Sequence, residues 1–205
     1  MQEESFLTRR RIDKNNIDFY LTELGMSDHT ISEWHEIEGL TPLLQTHFGE
    51  KYDGDCTLTS ITEVWHFLNK GYISPEDIYE IVRNIAESKF FFKNGTLPIF
   101  INNICDHLGY NMKSRTKYFK GMGFSFNSIK KIIDGGMPLI LSMTWDGRDY
   151  YDNHSVTVLG YHTCVDPTTG LERHFLHVHD NWKADVSFVD FERISFFSSI
   201  SYFIN

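Results

Sequence analysis

Two alternating, β-rich runs near the end of the chain leave little choice of local structure. They are residues 154–162 (His-Ser-Val-Thr-Val-Leu-Gly-Tyr-His) and 173–180 (Arg-His-Phe-Leu-His-Val-His-Asp). Alternation with period two is the mark of strands with one covered face. Between them lies Cys164-Val165-Asp166-Pro167-Thr168-Thr169-Gly170-Leu171, whose Asp-Pro and Gly mark a turn. The pair reads as one antiparallel hairpin. With the turn centred on Pro167, Val156 faces Val178, Val158 faces Leu176 and His154 faces Asp180. Opposed Cβ atoms lie about 4.5–5.5 Å apart, within reach of an imidazole–carboxylate hydrogen bond. One face then carries the four apolar residues inward, with His154 and Asp180 at its rim. A slip of one residue would send the His and Asp to opposite faces.

The same register bears on the histidines. His154, His162, His174, His177 and His179 all fall in this stretch, and His177-x-His179 has the spacing of two ligands on one strand face. In this register they point away from His154 and oppose Thr157 and Ser155. A zinc site would need further ligands on that second face, and none is evident. The face is expected to be polar and half-exposed, and neither metal nor cofactor is expected.

Upstream the chain reads as helical. Polar residues 1–40 suggest an N-terminal helical extension, with short helices around 17–24 and 30–37, the second edged by Ile31, Trp34 and Ile37. A helix is predicted over 56–69, where Leu58, Ile61, Val64, Trp65 and Leu68 form a buried stripe. A second opens at Ser74-Pro75 and runs to about residue 88, with Ser74 as cap. A third spans about 97–108, puts Cys105 in the core and stops at Gly109, and a short fourth covers 127–134. Residues 138–145 read as a buried strand, and 185–191 and 195–204 as further β segments. Helices first and an antiparallel sheet second make the class α+β.

Bulk properties narrow the function. At 205 residues, 41% hydrophobic and 15% aromatic, the chain can fill one core. A net charge of −9 argues against nucleic acid as principal partner. No apolar run of membrane-spanning length occurs. The three cysteines lack paired spacing and read as reduced thiols, pointing to the cytoplasm.

Cys56 sits where a turn gives way to a helix, in Asp53-Gly54-Asp55-Cys56-Thr57-Leu58-Thr59-Ser60. Free N–H groups and the macrodipole at a helix start favour a thiolate. His154 would pair with it and later protonate a leaving amine, Asp180 would hold the imidazole tautomer, and the Cys56 N–H would supply half of an oxyanion hole. Asp53 and Asp55 pull the other way, because a neighbouring carboxylate raises a thiol pKa. At least one of them is expected to cap the helix, directed away from the sulfur.

At these residues the chain resembles the papain-like cysteine peptidase superfamily, and within it the bacterial branch that cleaves double-glycine leader peptides in bacteriocin exporters. Asp55-Cys56-Thr57-Leu58-Thr59-Ser60 resembles that branch's Asp/Gly-Cys-Gly-Pro-Thr/Ser nucleophile start. The stretch from Ile129 through Gly135-Gly136 to Leu141 resembles its helix–Gly–Pro–strand element. His154-Ser-Val-Thr-Val-Leu-Gly-Tyr161 resembles its His strand, and Asp180-Asn181-Trp182 its Asn/Asp-x-Trp. The resemblance implies a peptidase domain over 41–205, with Cys56 as nucleophile, His154 as base and acid, Asp180 as orienting carboxylate and Trp182 as their shield. Two positions depart from the pattern. Thr57 replaces the glycine after the nucleophile, and Glu50 stands where the oxyanion glutamine is usual, so that role passes to Gln45. The implied activity is hydrolysis of a peptide or protein substrate through Cys56, His154 and Asp180. Three alternatives stay open: acyl transfer by the same triad, as in transglutaminase-like relatives, a catalytically silent peptide-binding protein, and a metal-dependent hydrolase built on the histidines.

Overall fold

The computed structural model describes residues 21–48, 55–90, 96–108, 113–144 and 153–204. Glu50, Asp53, Gly109 and Trp145 lie outside them, as does most of the helix expected around 17–24. The elements are β1 (Thr30–Glu36), α1 (Cys56–Leu68), α2 (Pro75–Phe90), α3 (Ile101–His107), β2 (Lys113–Tyr118), α4 (Phe126–Asp134), β3 (Leu139–Met143), β4 (His154–Val165), β5 (Glu172–His179), β6 (Ser187–Asp190) and β7 (Ser199–Ile204). Seven strands form one sheet in the order β2-β7-β3-β4-β5-β6, with β1 also on β4. Every pairing is antiparallel. The class is α+β, as expected.

Alternation along the strands sorts two layers of core. Leu139, Leu141, Val156, Val158, Leu176, Val178 and Ile200 pack with Ile129 and Ile133 of α4. On the opposite face, Ile140 and Phe203 join Leu58, Ile61, Val64 and Trp65 of α1 with residues of α2 and α3, Cys105 among them. Burying each such side chain contributes about 1.5–3 kcal/mol. Ser74 caps α2 through the Asp77 N–H at 3.2 Å, and Ser125 caps α4 in a reciprocal box with Ser128. No helix among the described residues is long and apolar enough to cross a membrane.

Residues 30–36 correct one expectation: they form β1, not a helix. Ile31 and Trp34 stand three apart, a helical spacing. The register of β1 on β4 shifts between Ile31 and Glu33. This bulge inserts one residue and returns both side chains to one face, where they pack against Leu21, Met26, Cys164, Phe175 and Phe188. β2 went unforeseen because Lys-Ser-Arg-Thr-Lys-Tyr has no apolar alternation, as befits an edge strand.

The hairpin exists, in another register. Val158 pairs with Val178, Thr157 with His179 and Tyr161 with Leu176. The turn lies later than Pro167, closed by Asp166 N–H to the Leu171 carbonyl (3.0 Å) and Gly170 N–H to the Asp166 carbonyl (2.8 Å). Near Val158 the displacement is two residues, so every side chain keeps its face. A bulge at Leu159 then adds one more residue beyond it.

The histidine face is buried, not half-exposed, because α1 and β1 cover it. His162 and His177 are fully buried and His179 nearly so. Glu36 accepts from His177 Nδ1 (2.8 Å), and His177 Nε2 lies 2.9 Å from His162 Nδ1. Trp34 and Phe175 stack on His162 at 5.1 and 4.9 Å. Burial, with His177 beside it, pushes His162 down to about 2. Below about 6.5, the ordinary histidine value, the unfolded chain binds a proton that the folded ring refuses. Stability is present above that pH and lost as pH falls. Acid titration of unfolding is expected to show a slope of up to about 1.4 kcal/mol per pH unit from this group. A His162→Gln chain is expected to have a shallower acid limb below pH 6.5, read from urea midpoints.

Candidate active site

Residues 56–65 of α1 are all buried, so the nucleophile helix runs through the middle of the molecule. Asp55 occupies its N-cap position without a side-chain cap bond, and Asp53, the other expected cap, lies outside the described residues. Asp55 instead accepts the hydroxyl of Tyr79 on α2. Burial pushes the Asp55 carboxyl up, opposed by that bond, which weakens its charge beside the sulfur. Tyr79 also stacks on Phe48 (3.9 Å, 3°), in the short 3-10 helix that begins at Gln45.

Cys56 meets the start of β4. Its Sγ accepts the N–H of Ser155 at 3.4 Å, one residue past His154. Burial pushes the thiol up, against which the Ser155 N–H and the hydroxyls of Thr57 and Ser155 act.

His154 is buried, with Nε2 at 2.8 Å from the backbone carbonyl of Asp180. A carbonyl only accepts, so Nε2 carries a proton, and in the neutral form of the ring the lone pair is on Nδ1. Asp180 thus meets the imidazole through its carbonyl oxygen. Its carboxylate holds the next turn, accepting the N–H of Trp182 (3.0 Å) and Lys183 (3.1 Å) and the Ser187 hydroxyl (3.2 Å). That turn carries Trp182, which stacks on His154 at 4.2 Å and 26°.

Gln45 joins the same set. Its N–H donates to the Asn181 carbonyl (2.9 Å), and its Oε1 accepts the Trp182 indole N–H (3.2 Å). An indole N–H cannot accept, so the Gln45 NH₂ is turned away from Trp182 and left to donate. Cys56, His154, Asp180 and Gln45 therefore belong to one connected group of contacts, through Ser155, Trp182 and Asn181.

Three contributors escaped the sequence reading. Asn181, at a left-handed φ of 63°, donates from Nδ2 toward the Cys56 carbonyl (3.1 Å), Ser60 Oγ (2.9 Å) and the Ser155 carbonyl (3.1 Å). Asn tolerates that backbone region better than most residues. Glu63, the one carboxylate within α1, lies 2.5 Å from Nδ1 of buried His179. Burial pushes Glu63 up, opposed by His179. Ser155 is the third. A carboxylate alone in a helix otherwise free of acids was the signal for Glu63, whereas Ser155 offered none.

Among the described residues no group of three or more His, Cys, Asp or Glu could hold a metal ion. His162 and His177 bond to each other, His177 also to Glu36 and His179 to Glu63, rather than converge on a common point.

The hydrogen bonds here, which oppose the effect of burial on the thiol and orient the imidazole, suit a nucleophilic thiol beside a base. None of the curated proteins compared with the chain matches it. A family model described as "Peptidase_C39 like family" matches residues 38–193, most of the chain and all of the site from Gln45 to Trp182. With helices packed on a large antiparallel sheet in the papain-like manner, the chain belongs to the Peptidase_C39 like family.

Proposed function

We propose that the protein is a cysteine peptidase acting through Cys56, His154 and Asp180. The observation that carries this reading is the join at β4: Cys56 Sγ lies on the Ser155 N–H, and the preceding residue is a tautomer-fixed histidine. In the reaction His154 Nδ1 takes the thiol proton as sulfur attacks the scissile carbonyl. The same proton then goes to the leaving amine as the C–N bond breaks, leaving a thioester that water hydrolyses with His154 as base. Asp180 keeps the Nε2 proton in place through its carbonyl. The Cys56 N–H and the Gln45 NH₂ stabilise the oxyanion. Gln45→Ala is expected to lower kcat by about 10²–10³ with KM little changed, the cost of one oxyanion donor, read from steady-state cleavage.

Thr57 bears on the silent alternative. A side chain in place of glycine would disable the site by crossing the cleft. Instead Thr57 is buried, with its hydroxyl on the Thr96 carbonyl at 2.9 Å. This favours an open cleft and a working site. We assign the catalytic domain to residues 41–205, with β1 of the preceding extension paired to its sheet. The described cysteines are free thiols, which suits a cytoplasmic location.

Mass spectrometry after incubation with peptide libraries that include double-glycine sequences tests the proposal. Cleaved products absent with Cys56→Ala are expected. Intact peptides throughout would overturn hydrolysis, and amine-adduct products would assign acyl transfer instead.

A further inference from the structure

The N–H of Ser155 meets the nucleophile, and its other polar groups contact the nucleophile's neighbours. Its N–H lies 3.4 Å from Cys56 Sγ, and its carbonyl accepts from Asn181, which also holds the Cys56 carbonyl. Its hydroxyl lies 2.9 Å from both Thr57 Oγ1 and Ser142 Oγ. All three hydroxyls are buried, so each proton has a definite place to go.

Counting protons gives the chain a direction. Thr57 has one hydroxyl proton, and the Thr96 carbonyl, a pure acceptor, claims it at 2.9 Å. Thr57 Oγ1 is then an acceptor toward Ser155, and Ser155 in turn accepts from Ser142. The Ser155 proton alone has a choice, Thr57 Oγ1 or the sulfur. While Cys56 is a neutral thiol the oxygen is the better acceptor. Once sulfur is negative, a charge-assisted bond to it is the stronger. Turning the hydroxyl leaves only an acceptor lone pair on Thr57 unfilled, and Ser142 still donates to Ser155.

We propose that Ser155 is a positioning residue for the thiolate of Cys56: its N–H fixes the sulfur, and its hydroxyl turns from Thr57 onto the sulfur as the proton leaves for His154. This rests on the peptidase reading for its purpose but not for its test. Thr57, the residue that departs from the family's glycine, holds the Ser155 hydroxyl while the thiol is neutral. Other titratable groups near the sulfur are Asp55 with its partner Tyr79, His154, Asp180, and Glu63 with His179 two turns along α1. The variants below leave all of them in place.

The test is the pH dependence of Cys56 alkylation by iodoacetamide, resolved by peptide mass spectrometry so that Cys105 and Cys164 do not contribute. Ser155→Ala is expected to raise the midpoint by about one pH unit, a tenfold slower reaction on the acidic limb. Ser155→Thr, which keeps the hydroxyl, is expected to restore it. A purely structural role would lower the melting temperature and leave the midpoints alone. An unmoved Ser155→Ala midpoint overturns the proposal. If that chain does not fold, an unmoved midpoint in Ser155→Gly overturns it instead. Should the midpoints move as expected in a chain that cleaves no peptide, the peptidase reading falls and this one stands.

Discussion

Cys56→Ala is expected to abolish peptide cleavage, by about 10⁶ in kcat if the nucleophile and base act as a unit, while the fold survives. The sulfur is buried, but only one heavy atom is removed and its main contact is a single N–H from Ser155. A stability cost of about 1 kcal/mol is the ordinary scale for such a change. His154→Ala is expected to lose nearly as much turnover, because the proposed base for the thiol proton is then gone. Steady-state cleavage and a thermal melt on the same samples check both halves. Retained turnover in Cys56→Ala would remove the thiol mechanism altogether.

The second large effect is on stability. Glu63 and His179 form a buried pair that ties α1, two turns past the nucleophile, to the end of β5, one residue before Asp180. Removing Glu63 takes the acceptor from buried His179 Nδ1, and removing His179 takes from buried Glu63 its strongest partner. Glu63→Ala or His179→Ala is expected to cost about 3–5 kcal/mol, measured by urea unfolding. Replacing both with apolar groups of similar volume, Glu63→Met with His179→Leu, is expected to recover much of that loss, since no unpaired charge remains. Single variants that are each mild would show that the pair is solvated in solution. A double variant as stable as the starting chain but reduced in kcat would identify the pair as the brace that sets Asp180 and Trp182 over His154.

Much of this was legible beforehand for a physical reason. Helix and strand periods are written in the apolar residues, and α1, α2, α4 and β3–β5 obey them closely. One failure of the reading traces to a bulge. The inserted residue in β1 turned the period of two into a helix-like spacing between Ile31 and Trp34. The hairpin slipped from its expected register because its turn sits beyond Pro167, yet the two-residue shift near Val158 kept Val156 and Val178 in one core. Other features depend on three-dimensional neighbours that no local pattern announces. Asp180 reaches His154 by its backbone while its carboxylate holds a turn, and Ser155 meets the sulfur through an N–H that any residue but proline would have, so nothing local marks it. Gln45 lies too far upstream for motif spacing alone, and what supports its role is Trp182.

A functioning thiolate–imidazole couple at one mouth is the central claim, and labelling kinetics address it most directly. Cys105 and Cys164, pushed up by burial to about 12 and about 11, serve as internal references within the same molecule. At pH 6, iodoacetamide is expected to modify Cys56 at least about tenfold faster than either, and His154→Ala is expected to erase that preference. A Cys56 rate that His154→Ala leaves unchanged would contradict the couple and, with it, the enzyme.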